Sequence, residues 1–163
     1  MKKGTIIIVG IILLFTMYGC STYNGLVGRD ETVNEKWSLV QTQYQRRADL
    51  IPNLVNTVKG AANFEKETLT QVVQARASAT SMNLNAADLT PENIQKFQAA
   101  QDQLSGALSR LLVTVEKYPE LKANQNFLEL QAQLEGTENR ITVARNDFNT
   151  VVKDYNQAVD TAQ

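Results

Sequence analysis

The chain has 163 residues, 43% of them hydrophobic and 20% charged, which suits one folded domain with a core of its own. It contains no histidine and one cysteine, Cys20, so the commonest general base and metal ligand is absent, and an intrachain disulfide or thiolate metal cluster is excluded. Beyond Lys2 and Lys3 there are 14 basic and 17 acidic residues, a balance that predicts no nucleic-acid partner, because such partners require clustered basic residues.

An uncharged segment follows the lysine pair and extends from Gly4 to Gly28. Its strongly apolar part is about 15–17 residues long, between the core of a signal peptide and a minimal membrane-spanning helix. We assign residues 1–22 either to a retained transmembrane anchor or to a lipoprotein signal. The second interpretation rests on Met17-Tyr18-Gly19-Cys20, which resembles a lipobox with Cys20 as the lipid attachment site, although Met17 and Tyr18 depart from the usual residues. A buried helix fits this glycine-bounded, charge-free composition less well.

The basic residues before the apolar segment predict that the body of the protein lies on the non-cytoplasmic side of the membrane. Residues 23–29, with glycines at positions 25 and 28, are predicted to form a linker, and Asp30 is predicted to cap the helix that follows. That helix has one apolar stripe at alternating spacings of four and three, as in a coiled coil: Val33, Trp37, Val40, Tyr44, Arg47, Ile51, Leu54 and Val58. Pro52 is expected to bend the helix without ending it.

Three further helices are predicted. Asn63 is expected to cap a short helix from Phe64 to about Thr80, and residues 81–89 form a connection. Thr90-Pro91-Glu92 is typical of a helix start, and an apolar stripe then continues to Tyr118, where Pro119 stops it. The last helix covers Gln125 to Ala162, and Gly136 inside it suggests a close helix crossing.

Four amphipathic helices with short connections predict an all-α fold, an up-down-up-down antiparallel four-helix bundle over residues 30–163 with long first and last helices. In this arrangement the end of the last helix returns to the start of the first. Val33, Trp37 and Val40 are therefore expected to pack against Phe148, Val151 and Tyr155 and to form a two-helix stalk.

Several charged residues lie on or near apolar stripes: Arg47 and Asp49 on the first helix, and Glu138 and Arg145 on the last. Buried charge is tolerated when it is paired, so these residues are predicted to form a structural polar network that fixes helix register. The alternative is a ligand pocket around Arg47, Glu138 and Arg145.

Motifs with catalytic chemistry are absent from the sequence. It has no Gly-rich phosphate loop, no H-E-x-x-H, no S-x-x-K and no G-x-S-x-G. The paired acidic residues occur at predicted helix starts, where capping explains them. We therefore expect no enzymatic activity, no cofactor and no metal site.

Three segments resemble the LemA family: Tyr44–Val55 with its R-R-x-D-L-I-P-N-L-V run, Tyr118–Asn124, and Gly136–Ile141 with G-T-E-N-R. Tyr23–Val27 is also similar, and the likeness extends from about Tyr23 to Ala158. It implies an antiparallel helical bundle on one N-terminal membrane segment in bacteria, with no established enzymatic activity. Family members commonly continue past the position of Gln163 into a further tail, whose role we expect to be absent here.

Genes of the family often neighbour those of membrane peptidases or TPM-domain proteins, so the resemblance also implies a protein partner of one of these kinds at the cell envelope. The leading hypothesis is a non-enzymatic interaction or scaffold module that contacts membrane lipid through its N-terminus. The alternative is an accessory ligand-binding or hydrolase-associated bundle with the polar pocket named above. A purely structural envelope spacer is a third hypothesis.

Overall fold

A computed structural model describes residues 3–61, 63–85 and 88–162. These residues form helices and connections and contain no β-strand. The helices are α1 (Lys3–Lys59), α2 (Lys66–Ser81), α3 (Pro91–Val115), α4 (Pro119–Lys122) and α5 (Gln125–Ala162). The predicted all-α class is confirmed, and α4 is a single turn that begins at Pro119, where the sequence predicted only a stop.

The chain divides into two compact units. We call Met1–Ser38 with Arg145–Gln163 the terminal unit, and Leu39–Ala144 the central unit. Each of the two long helices, α1 and α5, contributes one part to each unit.

The core of the central unit is built from apolar residues of all five helices and of the turn before α2. Most of them are side chains that the alternating spacings of the sequence select, which is why amphipathic helices with one stripe each can share a core. The buried cluster comprises Ile51, Leu54, Val55, Val58, Phe64, Leu69, Val72, Ala75, Ala79, Leu104, Ala107, Leu108, Leu111, Val115, Leu121, Phe127 and Leu134.

In the terminal unit, the aromatic rings of Trp37 and Phe148 pack with their centroids 5.1 Å apart. Both side chains are buried, as the stripes predict. An ion pair joins Lys36 to Asp147 at 3.6 Å, and the Arg29 guanidinium donates to the main-chain carbonyl of Asp154 at 3.3 Å. These contacts confirm that the beginning of the predicted first helix packs on the end of the last.

The first part of α1 is apolar and exposed. Ile8, Leu14 and Met17 are 60%, 69% and 71% exposed. By length and composition α1 contains a segment suited to crossing a membrane, and none of the residues of that segment whose burial the structure describes is buried inside the protein. Exposure of so many large apolar side chains is a property of membrane or interaction surfaces rather than of ordinary protein surface.

Residues 23–29 do not interrupt the helix, so the predicted linker and the predicted helix start at Asp30 are wrong. Two glycines weaken a helix by about 1 kcal/mol each, but without a proline or a competing cap they do not end it. Asp30 lies within α1, where its carboxylate accepts from the Asn34 side chain at 3.3 Å. Pro52 also lies within α1, which continues to Lys59 as predicted.

Of the two predicted helix caps Asn63 and Thr90, the structure confirms only Thr90. Asn63 does not cap α2; its φ is 64°, a left-handed conformation that Asn tolerates better than most residues, and the cap position is Glu65. Thr90 does cap α3: its hydroxyl accepts from the main-chain N–H of Asn93 at 3.2 Å, and Pro91 follows it as the first helical residue.

The predicted explanation of Gly136 is wrong. A Cβ atom built at this position meets no other atom of the described structure within 4 Å. No close helix crossing therefore requires a glycine here.

Candidate functional site: a buried arginine and an apolar groove

Arg47 lies on the buried stripe of α1, one turn after Tyr44 and one turn before Ile51. The uninterrupted alternation of four and three directs its side chain into the central unit, where it is 1% exposed. A charge at such a depth needs partners for both its charge and its N–H groups.

The neighbouring helices supply those partners. Arg47 Nη1 donates to Ser105 Oγ at 2.6 Å and to Glu138 Oε1 at 2.7 Å. Nη2 donates to the side-chain oxygen of Gln101 at 2.7 Å and to its main-chain carbonyl at 3.1 Å. Gln101 Nε2 in turn donates to the Ala79 carbonyl on α2 at 3.3 Å, so this Arg47 cluster connects α1, α2, α3 and α5.

The charge of Arg47 is balanced by the Glu138 carboxylate and by an aromatic face. The guanidinium carbon lies 5.1 Å from the centroid of the Tyr44 ring, which itself packs edge-on against Phe97. The Glu138 side chain is 44% exposed, so water reaches the carboxylate but not the guanidinium. Nη1 and Nη2 are fully engaged, and Nε, although without a hydrogen-bond partner in the described structure, is buried. The geometry is that of a clamp between helices.

The other predicted site residues lie elsewhere. Asp49 is exposed on α1 and accepts from Gln45 at 2.7 Å, so it takes no part in the Arg47 cluster. Arg145 belongs to the terminal unit, whereas Arg47 and Glu138 belong to the central unit. Cys20 is exposed within α1. The structure thus brings together Arg47 and Glu138 of the predicted network.

Gln101 and Ser105 were not predicted as members of the cluster. Gln101 is 4% exposed and occupies a stripe position of α3 between Phe97 and Leu104, as Arg47 does on α1. The sequence therefore contained one signal for this pair: Arg47 and Gln101 are each a polar residue on an otherwise apolar stripe. Ser105 lies one position beside its stripe and gives no comparable signal.

A separate groove of about 700 Å³ lies beside the start of α2 in the central unit. Its floor includes Phe64 and Leu69, and its rim carries Lys59 and Lys66. Among the residues the structure describes, no group of three or more acidic or cysteine side chains is placed to hold a metal ion. The arrangement of the groove suits the binding of an organic group or a peptide by apolar contact and charge.

Comparison with known proteins bears on the identity of the chain. Protein LemA of Metamycoplasma hominis is 24% identical over 138 residues, which cover 85% of this chain and 59% of that protein. Magnetosome proteins MamQ 1 and MamQ 2 of Paramagnetospirillum magneticum are each 24% identical over 151 residues, which cover 82% of this chain and 56% of theirs. The chain thus spans less than two thirds of the length of these relatives. The profile of the LemA family matches residues 36–163, most of the sequence, and the chain belongs to the LemA family.

Proposed function

We propose that this chain is a membrane-tethered, non-enzymatic helical bundle that binds a protein partner at the bacterial envelope. The observation that carries the proposal is the exposed apolar part of α1, which continues without interruption into the helix that supplies the Arg47 cluster. A large exposed apolar surface needs an apolar environment, and a lipid bilayer is the one that this length and composition suit.

The dimensions of α1 favour a retained transmembrane helix. The 25 uncharged residues from Gly4 to Gly28 measure about 37 Å at 1.5 Å per residue, enough for a hydrocarbon core of about 30 Å. The lysine pair before Gly4 favours a body on the non-cytoplasmic side. Acylation of Cys20 after cleavage is the alternative anchor.

We propose an up-down-up-down antiparallel arrangement for the bundle. Two contacts support it: Arg76 on α2 donates to the Ala48 carbonyl at 2.8 Å, and Gln41, earlier on α1, donates at 2.7 Å to the carbonyl of Leu84, which follows α2. An antiparallel arrangement of consecutive helices is expected when short connections join them.

The absence of enzymatic activity is part of the proposal, and the Arg47 cluster supports it. A ligand-binding or catalytic arginine needs N–H groups that face the ligand, whereas Nη1 and Nη2 of Arg47 are engaged by Ser105, Glu138 and Gln101.

The anchor is tested by expressing the full chain in a bacterium and extracting the membranes with alkaline carbonate. We expect the chain to stay in the membrane, and the mature protein to have the mass of an uncleaved N-terminus; a diacylglyceryl-modified Cys20 would instead show the lipoprotein anchor. The double variant Ile11→Lys with Leu14→Lys should be released, and Leu128→Lys, an exposed residue of the central unit, should be retained. Release of the parent chain by carbonate would contradict membrane tethering.

The partner is tested by photo-crosslinking from exposed positions of the central unit, Val113 and Val143, which are 69% and 60% exposed. An envelope peptidase or a TPM-domain protein is the first partner to examine. No adduct from any surface position, in cells where the chain is membrane-bound, would refute the interaction role and leave the spacer hypothesis.

A further inference from the structure

The groove beside α2 is formed by one face of that helix together with the turn that precedes it. Lys66, Leu69, Thr70, Val73 and Gln74 recur at spacings of three and four, so they follow one another along two turns. Lys59, Ala61, Asn63 and Phe64 complete the lining. A volume of about 700 Å³ lies within the range of binding pockets.

Val73 is one of several exposed apolar residues of the central unit, and it lines the groove. It follows Val72, which is fully buried, but its own side chain is 49% exposed. With the buried side chains of Phe64 and Leu69 it gives the groove an apolar floor. Val73 thereby adds exposed apolar surface to a groove whose lining also includes Lys59 and Lys66.

The charges at the rim are uncompensated. Neither Lys59 nor Lys66 forms a salt bridge with any residue that the structure describes; the five ion pairs of that part of the chain use other basic residues. The nearest acidic residues in sequence line a different depression, and they have partners there: Glu65 pairs with Lys117 at 3.5 Å, and Glu67 accepts from Gln71 at 3.4 Å. No acidic residue lines the groove itself.

The helix dipole favours the position of Lys59 but disfavours that of Lys66. Lys59 ends α1, where a cation is favoured by the helix dipole. Lys66 begins α2, where the same effect disfavours a cation by about 0.3–1 kcal/mol. A lysine that opposes its own helix and has no partner within the described structure is accounted for if the partner comes from another molecule.

We propose that this groove binds an acidic amphipathic peptide segment of the partner protein, with apolar side chains over Phe64, Leu69 and Val73 and carboxylates at Lys59 and Lys66. This inference rests on the proposed function, because it requires that the chain binds a protein partner. Charge complementarity selects the acidic segment. A peptide also suits the polar groups of the lining, Asn63, Thr70 and Gln74, because its main chain offers them hydrogen-bond partners that an alkyl chain lacks.

The test is a selection of displayed random twelve-residue peptides on the purified full chain in lipid nanodiscs. We expect the enriched peptides to be net negative and to carry paired aliphatic or aromatic residues. Fluorescence anisotropy with a synthetic copy of the most enriched peptide then gives its Kd. The variant Lys59→Glu with Lys66→Glu should weaken binding at least about tenfold, as should Val73→Asp, and binding of the parent should weaken with added salt.

Lys153→Glu is the matched control, because Lys153 is an exposed lysine of the other unit. It should change the Kd less than about twofold. All three groove positions are exposed, so we expect these variants to fold, and circular dichroism of each checks that the helices are intact.

Four results would overturn the proposal: no enriched peptide, enriched peptides without an acidic bias, binding that the groove variants leave unchanged, or a groove occupied by a second copy of the chain or by fluorescent dodecanoate instead. Crosslinks to a partner from Val113 or Val143 that persist in the Lys59→Glu with Lys66→Glu variant would retain the proposed function while removing the groove from it.

Discussion

Arg47 is the residue whose replacement tests the structure most directly. The change Arg47→Ala removes four hydrogen bonds to Ser105, Glu138 and Gln101 and empties a site that is 1% exposed. It also leaves the buried side chain of Gln101 without the donor that its oxygen faces. The emptied buried site and the unpaired Gln101 oxygen both destabilise the fold, and we expect a loss of about 4 kcal/mol.

Glu138→Ala should cost less, about 2 kcal/mol. The Glu138 side chain is 44% exposed, so water can occupy part of the space of the carboxylate, and Arg47 keeps Ser105 and Gln101 as acceptors. The double variant Arg47→Ala with Glu138→Ala should be about as stable as Arg47→Ala alone. Once the guanidinium is removed, the Glu138 carboxylate has no ion pair left to lose. The expected coupling energy between the two positions is therefore about 2 kcal/mol.

The measurement is thermal and urea unfolding of the full chain in mild detergent, followed by circular dichroism. At about 2–4 °C per kcal/mol for a chain of this size, Arg47→Ala should lower Tm by about 8–16 °C. Lys36→Ala is the control, since its ion pair with Asp147 is 3.6 Å long and exposed, and it should cost less than about 1 kcal/mol. A loss below 1 kcal/mol for Arg47→Ala, or additive losses in the double variant, would refute the assignment of Arg47 as a clamp between helices.

The other predictions use the same unfolding assay. Phe148→Ala should destabilise by about 3–5 kcal/mol, because it empties a buried position against Trp37; a loss under 1 kcal/mol would contradict that packing. Thr90→Ala should cost about 1 kcal/mol by leaving the Asn93 N–H without its cap, and Thr90→Ser should restore most of it. Gly136→Ala should stabilise by about 0.5–1 kcal/mol, since an added Cβ meets open space; destabilisation would show a close contact at this position.

The periodic part of the fold was predictable from the sequence. Spacings of three and four selected Trp37, Leu104 and Phe148 as buried residues, and Thr90 with Pro91 located the start of α3. These signals are strong because each amphipathic helix must bury one stripe, whatever its neighbours are.

Positions where local preference and context disagree were less predictable. Gly25 and Gly28 suggested a joint, yet a weak helix former does not end a helix that continues on both sides. Asn63 suggested a cap, but the turn before α2 uses it in a left-handed conformation. Val72 is buried and Val73 is exposed, and two consecutive valines do not show this difference unless the neighbour that covers one of them is known.

The candidate site shows the same division. The buried Arg47 and its partner Glu138 could be proposed from their positions near apolar stripes, but the choice of partner depends on how helices distant in sequence are aligned. For this reason Asp49 was predicted as a member of the network although it is exposed and bonds within its own helix. Short-range sequence distance is a poor guide to pairing on a helix unless the spacing is three or four.

The two kinds of charge in the central unit separate structure from recognition. Arg47 is buried, and its Nη1 and Nη2 groups donate hydrogen bonds to neighbouring helices. These two groups are therefore not available to bind a ligand or a partner. Lys59 and Lys66 are exposed beside an apolar floor and have no ion-pair partner in the described structure, and Lys66 opposes the dipole of its own helix. Charge complementarity across an interface needs groups that a partner can reach, and the two lysines meet this condition whereas the buried guanidinium does not. By this criterion a partner is expected at the groove beside α2 and not at the buried arginine.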